Sequence, residues 1–348
     1  MNFGFSKAKT SVFFPFAYII SESLLQFFFF FIGSAIGQGT FDQKSIMKNY
    51  HFCISGGDEI IFRSDEDYIR AFNTLALAVS ETGTSLFADA IMSTHLHGCV
   101  RTDNLQVLLN RFWKSYTRYF NSKYHRKGTL GSQPFIVEIH GFYHWLTAIC
   151  YALRNPVHHG IAPTPFAYRH CSANAIFRKE TGKVDDIVAM PRKSYYKYLP
   201  KGANCPSEYV MDHSGLIKRE TVLALPDIEH MFGTPRSYLF YMNRLSGEEW
   251  RREQDKDDNN IAPITLESLE NKASYQSLSE MLGHEYGRGN YRAMTDIELC
   301  EYIDNELLPS LGKNTVYNLS SQEKKECLRL ICKSTSVVEH RARRALVL

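Results

Sequence analysis

No CxxC pair occurs among the eight cysteines of this 348-residue chain, and their spacing follows no rule. That gives neither a cysteine zinc site nor a disulfide framework, and thiols scattered in this way suit a reducing cytosol. There is no internal repeat. A large net charge is missing too: 40 Lys and Arg against 37 Asp and Glu leave +3. The one long apolar run falls within residues 11–36 and includes Phe27 to Phe31, but Pro15 and Ser21-Glu22-Ser23 interrupt it and no clean small-residue cleavage site follows. It reads in three ways: as an export or membrane segment, as a buried hairpin, or as translation from too early a start, with Met47 the true first residue. We take 1–46 as an apolar N-terminal segment with a mis-assigned start. A membrane location is then expected only if 11–36 is genuine; otherwise the protein is expected in the cytoplasm, at the nucleoid.

What the chain does have is a charge asymmetry. Residues 101–200 hold 15 Lys and Arg against 5 Asp and Glu, while the remainder is net acidic. One basic region in an acidic chain is either a solvated face or a surface that meets a polyanion.

The pattern from 50 onward alternates strands and helices. Tyr50–Ser55 alternates and meets Gly56-Gly57. Ser64 followed by Asp65, Glu66 and Asp67 starts a helix, and Tyr68, Ile69, Phe72, Leu75, Ala76 and Val79 continue it at helical spacing. Leu86–Met92 and His95–Val100 read as strands, Asn104 to about Asn121 as a helix, Phe135–Ile139 as a strand, and Phe142–Leu153 as a helix stopped by Asn155-Pro156. This order predicts an α+β domain over 47–175, with a mostly antiparallel sheet of four or five strands and helices packed on it. Residues 176–215, polar and tyrosine-rich, read as a linker. A helical region fills 216–348, with a charged loop at Glu248–Asn260, helical pattern over 264–310, and a last helical pair at 319–348 ending in Arg341, Arg343 and Arg344.

Three sets of residues could carry chemistry. His95 and His97 stand two apart on a strand, so both imidazoles are expected on one face within reach of one metal ion; the alternative is a pair of surface or core histidines. Leu96 and Cys99 are expected on the opposite, core side. Tyr151 and Asn155 stand four apart on a helix and share a face. A phenol there could act as nucleophile and the carboxamide oxygen as a metal ligand; the plainer reading is a core tyrosine and a helix cap. Arg111, Lys114, Arg118, Tyr119, Lys123, Arg126 and Lys127 make a basic surface with aromatics, suited to phosphates and unpaired bases, and Tyr116 and Tyr119 are rival nucleophiles.

Taken in order, the blocks Met92–Val100, Ser115–Asn121 with Gly128-Thr129-Leu130, and Tyr151–Val157 with Gly160 resemble the single-tyrosine HUH transposases of the insertion-sequence type, most closely the REP-associated branch. Tyr168–Ala173 is a weaker echo. The resemblance covers about 50–175. It implies a ferredoxin-like or RRM-like sheet with His95 and His97 on a central strand, Asn155 as third ligand to Mg²⁺ or Mn²⁺, and Tyr151 as nucleophile. It further implies single-stranded DNA beside a hairpin as substrate, no nucleotide cofactor, and a homodimer as one known arrangement. Thr94 stands where the family often has Asn, Ala152 where it has Ile, and Gly131-Ser132 where an aromatic is usual. The 319–348 pair faintly resembles a DNA-reading module behind the catalytic domain, a use weighed against a frayed basic tail. Other expectations stay open: a catalytically inactive, domesticated DNA-hairpin-binding protein, a membrane-anchored protein, or a metal hydrolase that uses water.

Overall fold

The computed structural model describes residues 46–182, 188–244, 247–257, 260–265, 268–269 and 294–348. The apolar segment 11–36, the start at Met47 as against Met1, and most of the helical pattern over 264–310 lie outside the described residues. Among those described, no helix is long and apolar enough to cross a membrane.

Four strands, β1 (Lys48–Ser55), β2 (Ser85–Ile91), β3 (His95–Thr102) and β4 (Phe135–Ile139), form one antiparallel sheet in the order β2-β3-β1-β4. Helix α1 (Asp65–Glu81) joins β1 to β2, and α2 (Leu105–Lys123) joins β3 to β4. Each helix links two parallel strands. Such crossovers are right-handed as a rule, which places both helices on the same face, where they pack on each other. Helix α3 (Phe142–His158) lies against β2 and β3 on the other face. The result is the α+β, ferredoxin-like arrangement expected from the sequence.

Strand parity fixes what α3 meets. Ser55 pairs with His95, Cys53 with His97 and His51 with Cys99, so these six side chains share a face. Cys99 Sγ reaches the Ala148 carbonyl of α3 at 3.5 Å. This corrects the expected position of Cys99: residues 95, 97 and 99 follow the period of two, and only Leu96 turns away from the histidines. Ala88 and Ala90 of β2 continue the histidine face, and their small side chains let α3 approach closely.

Pro156 does not end α3. Helical structure continues to His158, and the stop is two residues later: Gly160 N–H donates to the Val157 carbonyl (2.9 Å) and Ile161 N–H to the Pro156 carbonyl (2.8 Å). Those two bonds, with Gly160 at φ +64°, are a Schellman closure. An interior proline costs about 3 kcal/mol in an isolated helix, here outweighed by a face that buries Trp145, Leu146, Ile149 and Leu153.

The stretch 176–215, a linker by sequence, is folded onto α1. Tyr195, Leu199, Tyr209 and Met211 are buried in the main core. Asn73 of α1 donates to the Gly215 carbonyl (2.7 Å) and accepts from Ile217 N–H (2.8 Å). Its aromatic residues, taken as signs of an irregular polar segment, are the packing groups. Beyond it lie α4 (Leu225–Phe232), α5 (Pro235–Asn243) and α6 (Gly247–Gln254). The charged stretch Glu248–Asn260 is therefore helical in its first half, not a loop. Trp250, buttressed by Arg244 and by Arg154 of α3, gives it a surface to pack on.

The C-terminal helices α7 (Asp296–Tyr302), α8 (Ser321–Ser334) and α9 (Glu339–Leu346) close a second core, into which Ile60 projects from the loop before α1. Arg63, fully buried, ties this core to the sheet domain: it donates to both Asp304 oxygens (3.0 and 2.8 Å) and to the Ala345 carbonyl (2.8 Å). The expected pair at 319–348 is thus present as α8 and α9, but its cations are largely engaged. Arg341 holds Asp296 at 2.7 Å, and Arg343 pairs with Glu339 one turn back on α9.

Candidate metal and tyrosine site

His95 and His97 of β3 and Tyr151 and Asn155 of α3 come together under the helix. His95 Nε2 lies 3.1 Å from Asn155 Oδ1, and Asn155 Nδ2 donates to the Tyr151 hydroxyl at 3.2 Å. The edge of Tyr151 meets the His97 ring, with centroids 5.4 Å apart and planes at 89°. His95 Nδ1 is 3.0 Å from Thr94 Oγ1. The threonine thus serves as the ring's orienting partner, and Nε2 is the nitrogen turned to the carboxamide.

Sequence reasoning missed three more histidines here. His51 Nε2 is 3.0 Å from His97 Nδ1 with the rings stacked. His159 lies against His95 at 4.7 Å between centroids, and His158 lies 6.3 Å from Tyr151. The signal was available: His158 and His159 follow Tyr151 by seven and eight residues, on the same helical face as Asn155, and His51 alternates with Cys53 and Ser55. Burial, then the charges of His51, His95, His159 and His158, hold the His97 imidazole well below the usual histidine value. A neutral ring is what a metal ligand must be.

Whether these residues suit a metal ion turns on their donors. Among the described residues no three His, Cys, Asp or Glu side chains are gathered as a ligand set. Two imidazoles and a carboxamide oxygen are the donors offered. In an octahedral Mg²⁺ or Mn²⁺ shell with bonds of about 2.1 Å, neighbouring donors stand roughly 3 Å apart. The 3.1 Å between His95 Nε2 and Asn155 Oδ1 matches that separation, so this pair of donors fits such an ion, while His97 Nδ1 is taken up by His51 Nε2 at 3.0 Å.

The rival nucleophiles are elsewhere. Tyr116 and Tyr119 lie on α2, on the far side of the sheet. Tyr116 is buried and donates to the Ile61 carbonyl (2.7 Å), and Tyr119 donates to Asp67 (3.0 Å) with the Arg70 guanidinium over its ring. Burial, with the Asp67 charge second, raises both hydroxyls far from ionisation.

The seven residues expected to contact DNA divide. Lys114, Arg118 and Lys127 are exposed. Arg111 is exposed but bonded to Glu81 at 2.6 Å. Lys123 and Tyr119 are drawn onto Asp67, a buried carboxylate that also accepts from the Arg63 and Ser64 amides and the Tyr124 hydroxyl. Arg126 forks onto Glu59. The Gly128–Gly131 loop that follows α2 returns toward the histidine end of the sheet, where Ser132 N–H donates to the Ser55 carbonyl at 2.7 Å. Gly131, at φ +64°, has no room for an aromatic: a Cβ there would fall 2.6 Å from the Ser55 oxygen.

Asp257, beyond α6, seats on the start of α3. It accepts from the amides of Phe142, Tyr143 and His144 and contacts His144 Nδ1 at 2.8 Å. A carboxylate at a helix N-terminus satisfies otherwise orphaned donors and complements the helix dipole. Burial opposes its charge, but these bonds prevail and hold its carboxyl below the ordinary range.

No family model matches the chain, and no curated protein matches it. Among solved structures, a REP-associated tyrosine transposase bound to a REP hairpin is similar at a TM-score of 0.34 and 11% identity, over 42% of this chain and 87% of that one.

Proposed function

We propose that the chain cleaves and rejoins single-stranded DNA, as a transposase does, through a 5′-phosphotyrosine at Tyr151. One observation carries this reading: His95, Asn155 and Tyr151 form a continuous chain of polar contacts at 3.1 and 3.2 Å beside His97. The ordered resemblance of the three blocks to HUH transposases supports it. His95, His97 and Asn155 would hold Mg²⁺ or Mn²⁺, which when bound supplies positive charge to the phosphoryl oxygens. Asn155 Nδ2 holds the Tyr151 hydroxyl in place, and the His97 ring packs its aromatic edge. The Tyr151 oxygen, losing its proton, attacks phosphorus. The bond to the 3′ oxygen breaks and that oxygen takes up a proton, leaving the 5′ phosphate on the tyrosine. A 3′ hydroxyl later reverses the exchange, so no nucleotide cofactor is needed. The DNA is single-stranded beside a hairpin, and a homodimer through the sheet is compatible with the reading.

A second reading has its own support. Tyr151 is 8% exposed, His95 2%, and His97 and Asn155 0%. A site so enclosed fits a domesticated hairpin-binding protein that no longer cuts, as well as a resting enzyme that opens on DNA. Covalent trapping separates them. Full-length protein, labelled single-stranded DNA with a flanking hairpin, and Mg²⁺ or Mn²⁺ are run on a denaturing gel. An adduct lost in Tyr151→Phe and His95→Ala but kept in Tyr116→Phe and Tyr119→Phe is the expected result. Hairpin binding with no adduct from the wild type would leave the binding protein as the function.

A further inference from the structure

The segment from Arg192 to Cys205 plays no part in the cleavage proposed above. Arg192 to Lys201 holds four cations and three tyrosines and no carboxylate. Folded against α1, it borders a cleft of about 550 Å³ that also includes Arg70 and has no carboxylate in its lining. That volume falls in the range of small-ligand sites, roughly 300–1,000 Å³.

The residues there divide into supports and open groups. Arg192 is spent on its own loop, donating to the carbonyls of Cys205, Pro206, Ser207 and Tyr209. Tyr195 is buried, and its hydroxyl accepts from Met211 N–H at 2.9 Å. These contacts fix the loop. Three groups remain at the opening. Tyr196, at 73% exposure, is the most exposed aromatic among the described residues. Lys201 is exposed. Arg70, half-buried in the lining of the cleft, is braced over the Tyr119 ring. A flat open aromatic next to two cations matches one chemistry: a base that stacks and a phosphate that is neutralised. A duplex offers no base face to Tyr196.

We propose that this cleft binds an unpaired nucleotide of a single strand, with its base on Tyr196 and its phosphate at Arg70 and Lys201. Because α1 and α3 cover opposite faces of the sheet, the site is separate from Tyr151 and does not depend on cleavage. The source of the strand, DNA or RNA, is decided by the test.

The test is fluorescence anisotropy of the full chain in EDTA with labelled 12-mers of oligo(dT) and oligo(U), an abasic DNA strand and a duplex. Tyr196→Ala should weaken binding to at least one of the two single strands about fivefold or more and leave the abasic strand unaffected, and Tyr196→Phe should restore binding. Lys201→Ala should reduce the slope of log affinity against log salt by about 0.7, one phosphate contact on a single strand. The preferred strand identifies the source. Wild-type binding by both alanine variants, an equal loss on the abasic strand, or a duplex bound as tightly as either single strand would overturn the proposal. This binding is read in EDTA, where the metal-dependent Tyr151 adduct does not form, so failure of this site and failure of the cleavage reading give different results.

Discussion

Gly98 sits between His97 and Cys99, directly opposite Phe52 of β1. An alanine there would put its Cβ 2.5 Å from Phe52 Cε1, closer still to Cζ, and 3.1 Å from Cε2. Carbon atoms rest about 3.5–4.0 Å apart, so the overlap is about 1 Å or more against two ring atoms and about half that against the third. Phe52 is fully buried and has nowhere to swing, so β3 must give way, and His97 moves with it. Overpacking of this kind costs about 1–3 kcal/mol. Urea denaturation of Gly98→Ala should show a lower midpoint at unchanged m, and the covalent adduct should weaken in parallel. In a Phe52→Leu background the ring is gone, and the same alanine should cost little. The two changes are then coupled by most of the original penalty. An equal cost of Gly98→Ala in both backgrounds would refute the steric account.

Two further outcomes follow from the buried charges. Arg63→Met should cost about 3–5 kcal/mol, the usual result of stranding one member of a buried pair, with Asp304 and the Ala345 carbonyl left without its donors. Amide exchange should accelerate in α7 and α9, and Arg63→Lys should not rescue it, because a lysine cannot fork. His97 titrates well below its unfolded value of about 6.5. Without metal, the unfolded chain takes up this proton before the folded one does. Stability should be full above about pH 7 and fall as pH drops below roughly 6.5 toward the folded value, by up to about 1.4 kcal/mol per pH unit. Urea midpoints from pH 7.5 to 5 in EDTA should show the decline, and His97→Gln should flatten it. An unchanged slope in that variant would place the titration elsewhere.

The sheet domain was legible because its signals are local. Asp67 at the start of α1, the alternation in β1 and the spacing of Tyr151 to Asn155 each act within a few residues. The end of α3 was misjudged for a physical reason: Pro156 is a reliable stop only when nothing else rewards continuation, and here a buried face and the Gly160 closure do. The stretch 176–215 looked like a linker because its packing tyrosines carry polar tips, and their partners, Ala76 and Met211, are brought near only by the fold. The basic character of 101–200 was real, but composition could not say which cations are spent internally. Lys123 and Arg126 answer to Asp67 and Glu59 across more than fifty residues. His51 escaped notice because the pairing that brings it beside His97 is between strands.

The carboxylate on the first turn of α3 comes from Asp257, more than one hundred residues further along the chain. During synthesis, therefore, the helix that carries Tyr151 is made long before its cap. At about 5–20 residues per second, that interval is on the order of ten seconds, through which the β-sheet can form while the tyrosine helix has its leading amides unsatisfied. A nascent chain that stopped before Asp257 would carry His95, His97, Tyr151 and Asn155 with the first turn of α3 capped by water alone.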